Sequence, residues 1–189
     1  MIEKEYKVIL SKEQYDRLNA FFVWDEDFTQ INYYYNDKDN YIRDNSITVR
    51  VREKNNKFAL QTKVSTLENP ESDVLAIKEE KEIIIDMLMD EIPADVLCGM
   101  IGHMCNDIRI IGLLKTHRKV CGLYENVTIC LDYNEYLSKS DYELEIEYDT
   151  DVLNDKIKEL FTKTLGIVFG KKSSGKNNRF FNAYMSNNV

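Results

Sequence analysis

The chain has 189 residues, 43% of them hydrophobic and 31% charged, enough apolar material for a sizeable core and too much for a disordered segment. Its formal net charge of −8 argues against duplex nucleic acid held by phosphate neutralisation, although a local basic cluster can still bind a small anion. No apolar run reaches membrane-spanning length and Met1-Ile2-Glu3-Lys4 carries no signal-peptide pattern, so a cytoplasmic protein is expected, with Cys98, Cys105, Cys121 and Cys130 as reduced thiols.

Ile2 to Val8 reads as a strand. Alternation sets Glu3, Glu5 and Lys7 on one face and Ile2, Tyr6 and Val8 on the other, with Lys4 interrupting the apolar row. Ser11 and Gln14 stand at capping-box spacing and open a helix whose apolar side is Tyr15, Leu18, Phe21 and Phe22. Phe28 to Asn36 is β-rich, with Gln30, Asn32 and Tyr34 opposite Ile31, Tyr33 and Tyr35, and 36–40 reads as a polar turn. Ile47 to Glu53 sets Val49 and Val51 against Thr48, Arg50 and Arg52. Asn55-Asn56 is hairpin chemistry, because Asn tolerates positive φ, and Phe58 to Val64 then returns with Gln61 and Lys63 opposite Leu60, Thr62 and Val64.

A polar, proline-bearing loop over 65–73 leads to a strand from Ala76 to Asp86. Its Lys78, Glu80 and Glu82 share one side; Ile77, Ile83 and Ile85 share the other with Glu79 and Lys81. Pro93 opens a helix running to about Met104. Cys98, His103 and Cys105 match no usual zinc spacing, and their apolar neighbours favour buried thiols. Further strands are expected over Ile108–Lys119, Leu123–Leu131 and Asp141–Asp149. In them Thr116 and Arg118 share a face, as do Thr128, Cys130 and Asp132, and Glu143, Glu145 and Glu147 oppose Leu144, Ile146 and Tyr148. Asp151 to Thr164 reads as a helix with Leu153, Ile157, Leu160 and Phe161 inward and Gly166 as its cap. The tail from Gly170 to Arg179 is basic and rich in small donors, and turns aromatic at Phe180, Phe181 and Tyr184.

The strands are sorted by charge, with acidic rows near the two ends of the chain and basic rows between them. An antiparallel sheet can leave such faces to solvent; closing it instead brings the rows face to face, with helices covering the apolar side. Clustered carboxylates require cations, and Mg²⁺ is a suitable hard partner for their oxygens. Arg and Lys rows suit phosphate, Arg as a bidentate fork and Lys as a point charge.

In this pattern the chain resembles the CYTH superfamily, the triphosphate tunnel metalloenzymes. The resemblance is carried, in order, by Glu3-x-Glu5-x-Lys7, the Val-Arg-Val-Arg run with Arg50 and Arg52, the Leu-Gln-Thr-Lys run with Lys63, and Tyr-Glu-Leu-Glu-Ile-Glu with Glu143, Glu145 and Glu147. It implies a mainly β (α+β) fold, an eight-stranded antiparallel β-barrel forming a tunnel with helices outside, as a single domain over 1–189. It further implies Mg²⁺ or Mn²⁺ held by Glu3, Glu5, Glu80, Asp132, Glu143, Glu145 and Glu147. The triphosphate would be clamped by Lys7, Arg50, Arg52, Lys63, Lys78, Arg118, Lys176 and Arg179. Lys7, Glu5 and Arg52 are the implied catalytic set: Lys7 on phosphate or the attacking water, Glu5 on metal, Arg52 on phosphate. The chain departs from the family where Lys78, Glu80 and Glu82 replace Arg-x-Glu-x-Glu, and where Lys115 and Arg118 stand three apart, leaving Arg118 as the inward cation.

The expected activity is hydrolysis of inorganic triphosphate or a small organic one such as thiamin triphosphate. Two alternatives use the same charges: an adenylyl cyclase making cyclic AMP from ATP, and a non-catalytic sensor of polyphosphate or nucleotide. No adenine pocket is legible, since Tyr33, Tyr34 and Tyr35 read as packing. The expected partner is a small-molecule triphosphate, with neither nucleic acid nor membrane, for a monomer or homodimer.

Overall fold

The computed structural model describes residues 4–66, 77–102, 106–124, 126–148, 155–168 and 174–187. In chain order the elements are β1 (Lys4–Leu10), α1 (Lys12–Phe21), β2 (Glu26–Asn36), α2 (Tyr41–Asp44), β3 (Ile47–Lys54), β4 (Lys57–Thr66), β5 (Ile77–Ile85) and β6 (Glu91–Ile92). They continue with α3 (Ala94–Ile101), β7 (Ile108–Tyr124), β8 (Val127–Tyr136), β9 (Lys139–Tyr148), α4 (Asp155–Glu159), a wide π-turn (Leu160–Thr164) and α5 (Lys176–Asn187). The fold is thus mainly antiparallel β with helices. By its contacts the chain divides into two compact units, Met1–Thr29 with Thr116–Val189, and Gln30–Lys115, and the divisions fall inside β2 and β7.

In the first unit the strands lie in the order β1-β9-β8-β7. The register pairs Glu5 with Glu147, Lys7 with Glu145, Cys130 with Glu145 and Asp132 with Glu143. Residues directly opposite in an antiparallel pair share a face, so one face collects these polar groups. The other carries Leu144, Ile146, Ile129 and Leu131, which pack on Tyr15 and Leu18 of α1 and on Ile157 and Phe161. Helix α1 begins as expected: Gln14 N–H donates to Ser11 Oγ (3.1 Å), and Ser11 N–H to Gln14 Oε1 (2.9 Å). Phe21, expected inward, is 50% exposed. The face set by Tyr15 and Leu18 continues to Phe22, which stacks on Phe161, and Phe21 points off that stripe.

The strand boundaries after Lys119 need correction. β7 runs on to Tyr124, and Asn126, at φ 69°, turns the chain into β8, so the expected strand Leu123–Leu131 straddled a turn. β8 and β9 meet in a tight hairpin with Leu137 at φ 45° and Ser138 at φ 62°, and β9 starts at Lys139, before the expected Asp141. The helix expected over 151–164 is described from Asp155; residues 151–154, with Leu153, lie outside the described residues. Leu160 is half-buried and Phe161 buried, and Gly166 caps the segment at φ 69°, with Ile167 N–H returning to the Phe161 carbonyl (2.9 Å). The tail beyond Gly175, read only as basic and then aromatic, is helix α5, which buries Phe180, Phe181 and Ala183.

In the second unit the order is β2-β3-β4-β5, with β6 beside the start of β7. Val49, Val51, Leu60 and Tyr35 pack with Leu97, Met100 and Ile101 of α3. The expected Asn-Asn hairpin is present, with Asn55 at φ 53° and Asn56 at φ 58°. The 36–40 turn leads into α2, unread in the sequence, whose first amides are held by the buried Asp37 carboxylate (Tyr41 N 3.1 Å, Ile42 N 2.9 Å). Helix α3 stops at Ile101 instead of Met104, because Gly102 turns left-handed at φ 80° and its N–H caps the Cys98 carbonyl (2.9 Å). His103 and Cys105, weighed for zinc, lie outside the described residues. On β5 the apolar side is only partly covered: Ile85 packs on the core, whereas Ile83 is exposed. Among the described helices none is long and apolar enough to cross a membrane.

Candidate functional site

The charged face of the first unit holds a buried polar cluster. β8 and β9 set Asp132 beside Glu143 in register, and Glu145 follows on the same face; all three are buried. One oxygen from each lies within 4.8 Å of the other two. Such like charges persist only among cations. Arg118, from β7, donates to both Asp132 oxygens (Nε–Oδ1 2.8 Å, Nη2–Oδ2 2.7 Å) and also pairs with Glu145. From β1, Lys7 Nζ reaches Glu145 (3.0 Å) and Glu5 (2.9 Å). From α5, Lys176 Nζ sits 2.7 Å from Asp132 Oδ2 and 2.7 Å from Glu145 Oε1, and contacts Glu143. One turn on, Arg179 bridges Asp141 (Nε–Oδ2 2.8 Å) and Glu143 (Nη2–Oε2 3.2 Å). Asp141 in turn accepts from Asn134 Nδ2 (2.8 Å) and Tyr136 OH (2.8 Å), and Thr116 Oγ1 donates to Asn134 (2.7 Å).

Burial pushes the Glu145 carboxyl upward, but Lys176, Arg118 and Lys7 outweigh it and hold its pKa well below the ordinary value. Burial likewise disfavours the charged Lys176, yet Glu145, Asp132 and Glu143 overcome this and raise its pKa; Lys7 is raised mainly by Glu145 and Glu5 against the same burial penalty. Arg118 and Arg179 shift upward for the same reason, through Asp132 with Glu145 and through Glu143 with Asp141. The neighbouring Cys130 thiol is driven up to about 12, chiefly by burial.

Asp132, Glu143 and Glu145 offer three hard oxygen ligands at close quarters, a donor set that fits Mg²⁺ or Mn²⁺. Cys130, Glu145 and Glu147 form a second close set, but a thiol held protonated suits a hard ion poorly.

The second unit carries the basic row. Arg52 stands opposite Asn32, and Arg50 opposite both Tyr34 and Gln61, in the strand register. Arg52 Nε donates to Asn32 Oδ1 (3.1 Å) and Arg50 Nε to Gln61 Oε1 (2.7 Å). Gln61 donates to Glu82, and Lys63 pairs with Glu80. The Arg52 contact fixes the Asn32 amide with its oxygen toward the guanidinium, and Asn32 Nδ2, buried, has no hydrogen-bond partner among the described residues.

Of the residues singled out in the sequence, Lys7, Glu5, Arg118, Asp132, Glu143, Glu145, Lys176 and Arg179 come together in one cluster. Glu147 lies on the same face, 4.0 Å from the Cys130 sulfur. Arg50, Arg52, Lys63 and Glu80 lie on the charged face of the second unit. Glu3 and the side chain of Lys78 lie outside the described residues. Lys7, Arg118, Lys176 and Arg179, expected on phosphate, are paired here with the carboxylates expected on metal. Sequence reasoning missed Asp141 and Asn134, although each extends an alternating polar row by one step, and it set Asn32 and Gln61 on the polar faces of their strands without a role.

Comparison with known proteins places these features in context. Residues 1–178 match the family model of the CYTH domain. YjbK of Bacillus subtilis (strain 168), provisionally named a triphosphatase, is 29% identical over 153 residues, 77% of this chain and 77% of its own length. Two solved structures share the fold. A Bacillus halodurans protein provisionally named an adenylate cyclase has 23% identity and a TM-score of 0.68, over 96% of this chain and 100% of that one. A Hippeastrum protein, described as a provisional adenylyl cyclase with a dominant triphosphatase activity, has 20% identity and a TM-score of 0.72, over 96% of each chain.

Proposed function

The chain belongs to the CYTH family, and on that premise we propose that it is a metal-dependent hydrolase of a small triphosphate. The observation that carries the reading is the buried Asp132–Glu143–Glu145 triad, an oxygen donor set for a divalent ion ringed by Arg and Lys. The relative named as a triphosphatase supports the reaction class. In this reading Asp132, Glu143 and Glu145 would hold the metal, with Glu5 and Glu147 on the same charged face, and Glu3 is proposed as a further ligand. Bound there, a divalent ion neutralises charge on the phosphates and lowers the pKa of a coordinated water.

The chain's own groups do the rest. Arg50 and Arg52 present planar forks to phosphate oxygens, each with its Nε fixed by Gln61 or Asn32. The Asn32 amide adds a neutral donor next to Arg52. Lys63, Lys78, Arg118, Lys176 and Arg179 supply further positive charge. Lys7 serves as a donor to phosphate or to the attacking water, as a point charge beside Glu5 and Glu145. Glu80 belongs with the phosphate-binding row through Lys63. The same reading carries the closed eight-stranded barrel and a single domain over 1–189 with it.

The test is a substrate panel of inorganic triphosphate, thiamin triphosphate and ATP, each with Mg²⁺ and with Mn²⁺. Release of free phosphate supports the hydrolase. Cyclic AMP from ATP would replace it with a cyclase, and tight binding without turnover with a sensor.

A further inference from the structure

Lys176 places an ammonium group at the centre of the acidic triad. Its Nζ lies 2.7 Å from Asp132 Oδ2 and from Glu145 Oε1, and it pairs with Glu143 as well. These are the three residues whose oxygens converge within 4.8 Å. The other cations of the cluster are disposed differently. Arg118 grips both Asp132 oxygens and reaches Glu145, Lys7 meets Glu145 alone of the three, and Arg179 is turned toward Asp141 and Glu143, so that only Lys176 touches all three carboxylates among the described residues.

An ammonium and a hard divalent ion make the same demand, several anionic oxygens around one positive centre. The triad can satisfy one of them at a time. Lys176 is the cation suited to give way, because its charge is compact and sits on a flexible four-carbon stem, whereas the rigid Arg118 fork is locked on both Asp132 oxygens and on Glu145. It does not leave freely, since it is paired with three buried carboxylates, and an unpaired ammonium in a buried setting is costly. Departure becomes favourable when a second polyanion offers it oxygens, and a triphosphate is such an anion.

Resting on the triphosphate reading above, we propose that Lys176 is a tethered counter-ion that makes divalent-metal binding at Asp132, Glu143 and Glu145 conditional on triphosphate. Lys176 transfers from the carboxylates to the anion, and so frees the triad. Its role is thereby a positioning and coupling one, distinct from a plain phosphate contact.

The experiment measures Mn²⁺ binding by electron paramagnetic resonance to the wild-type protein and to Lys176→Met. Each is titrated with and without a non-hydrolysable imido analogue of triphosphate, correcting for Mn²⁺ bound by the analogue itself. Wild type is expected to bind Mn²⁺ at least about tenfold more tightly with the analogue, the equivalent of one charge-assisted contact. Lys176→Met is expected to bind Mn²⁺ alone about tenfold more tightly than wild type and to gain little from the analogue. Unchanged Mn²⁺ affinity in Lys176→Met, or an undiminished gain from the analogue, overturns the proposal. Should that variant fail to fold, equal Mn²⁺ affinity of wild type with and without the analogue overturns it, and Lys176→Gln repeats the comparison. Coupling without phosphate release from any member of the substrate panel retires the hydrolase and leaves the counter-ion standing; hydrolysis without coupling does the reverse.

Discussion

Lys7 and Glu145 stand directly opposite each other on β1 and β9, and the Lys7 ammonium meets the Glu145 carboxylate at 3.0 Å. The pair ties the first strand to the cluster, and it makes stability depend on pH at both ends. Glu145 is depressed in the folded protein, so its contribution is present above the ordinary carboxylate pKa of about 4.3 and is lost as pH falls toward the folded value. Lys7 and Lys176 are raised, so theirs is present below about 10.4 and is lost as pH rises through the folded values. Urea midpoints across pH 3 to 11 are expected to form a plateau that falls at both edges. Glu145→Gln should lower the plateau by about 3 kcal/mol, because it strands buried cations, and should flatten the acid limb. A wild-type acid limb retained in that variant would place the titration elsewhere.

Arg52→Lys keeps the charge and loses the fork that Asn32 orients. Triphosphate affinity is expected to fall by about 1–3 kcal/mol, measured as a rise in KM or Kd. Lys12→Ala removes an exposed charge on α1 that pairs with Asp16 and should leave affinity unaltered. Equal losses at the two positions would point to diffuse attraction instead of a fitted contact.

Asn32→Leu removes both the acceptor for Arg52 and the amide donor, and is expected to weaken triphosphate binding by about 1–2 kcal/mol. Asn32→Asp restores the acceptor but adds a negative charge, so it should bind worse still. If Asn32→Asp binds as well as wild type, the amide is a structural group only.

Metal and triphosphate together should stabilise the protein more than the sum of their separate effects. At about a hundredfold excess over the dissociation constant, linkage supplies ~2.7 kcal/mol, a Tm rise of roughly 5–10 °C. Melts with Mg²⁺, triphosphate, both and neither give the answer, and strictly additive shifts would count against a shared site.

Cys130 is buried, with its thiol held at about 12, while Cys98 is half-buried. Brief alkylation at pH 8 followed by mass spectrometry should label Cys98 well before Cys130, and denaturant should abolish the difference.

Much of this was open to inspection in the sequence, because β-strand alternation has a period of two and the charges obey it. Glu143, Glu145 and Glu147 fixed one face of β9, and the opposing Lys7 and Glu5 followed from the same rule applied to β1. The capping box of α1 and the Asn55-Asn56 turn are local chemistry and were readable for that reason. What escaped depends on partners distant in sequence or on unusual backbone. Leu137 at positive φ is a poor turn former by propensity, and it hid the true start of β9 at Lys139. Helix α5 opens on the last residue of a Gly-Ser-Lys run, so neither its first turn nor the placing of Lys176 and Arg179 on carboxylates could be read from spacing. Cations of a strand row look alike whether they face phosphate or acid; only the folded neighbours decide.

The tight Leu137–Ser138 turn has a bearing on biosynthesis. It joins the two strands that carry Asp132, Glu143 and Glu145, so the three carboxylates converge as soon as one short hairpin closes. Lys176 is translated 31 residues after Glu145, and Arg179 follows it. A nascent chain therefore gathers its negative charges before two of the cations that balance them have left the ribosome. Millimolar Mg²⁺ can serve as their interim neutraliser, and refolding in vitro is expected to quicken with Mg²⁺ at constant ionic strength.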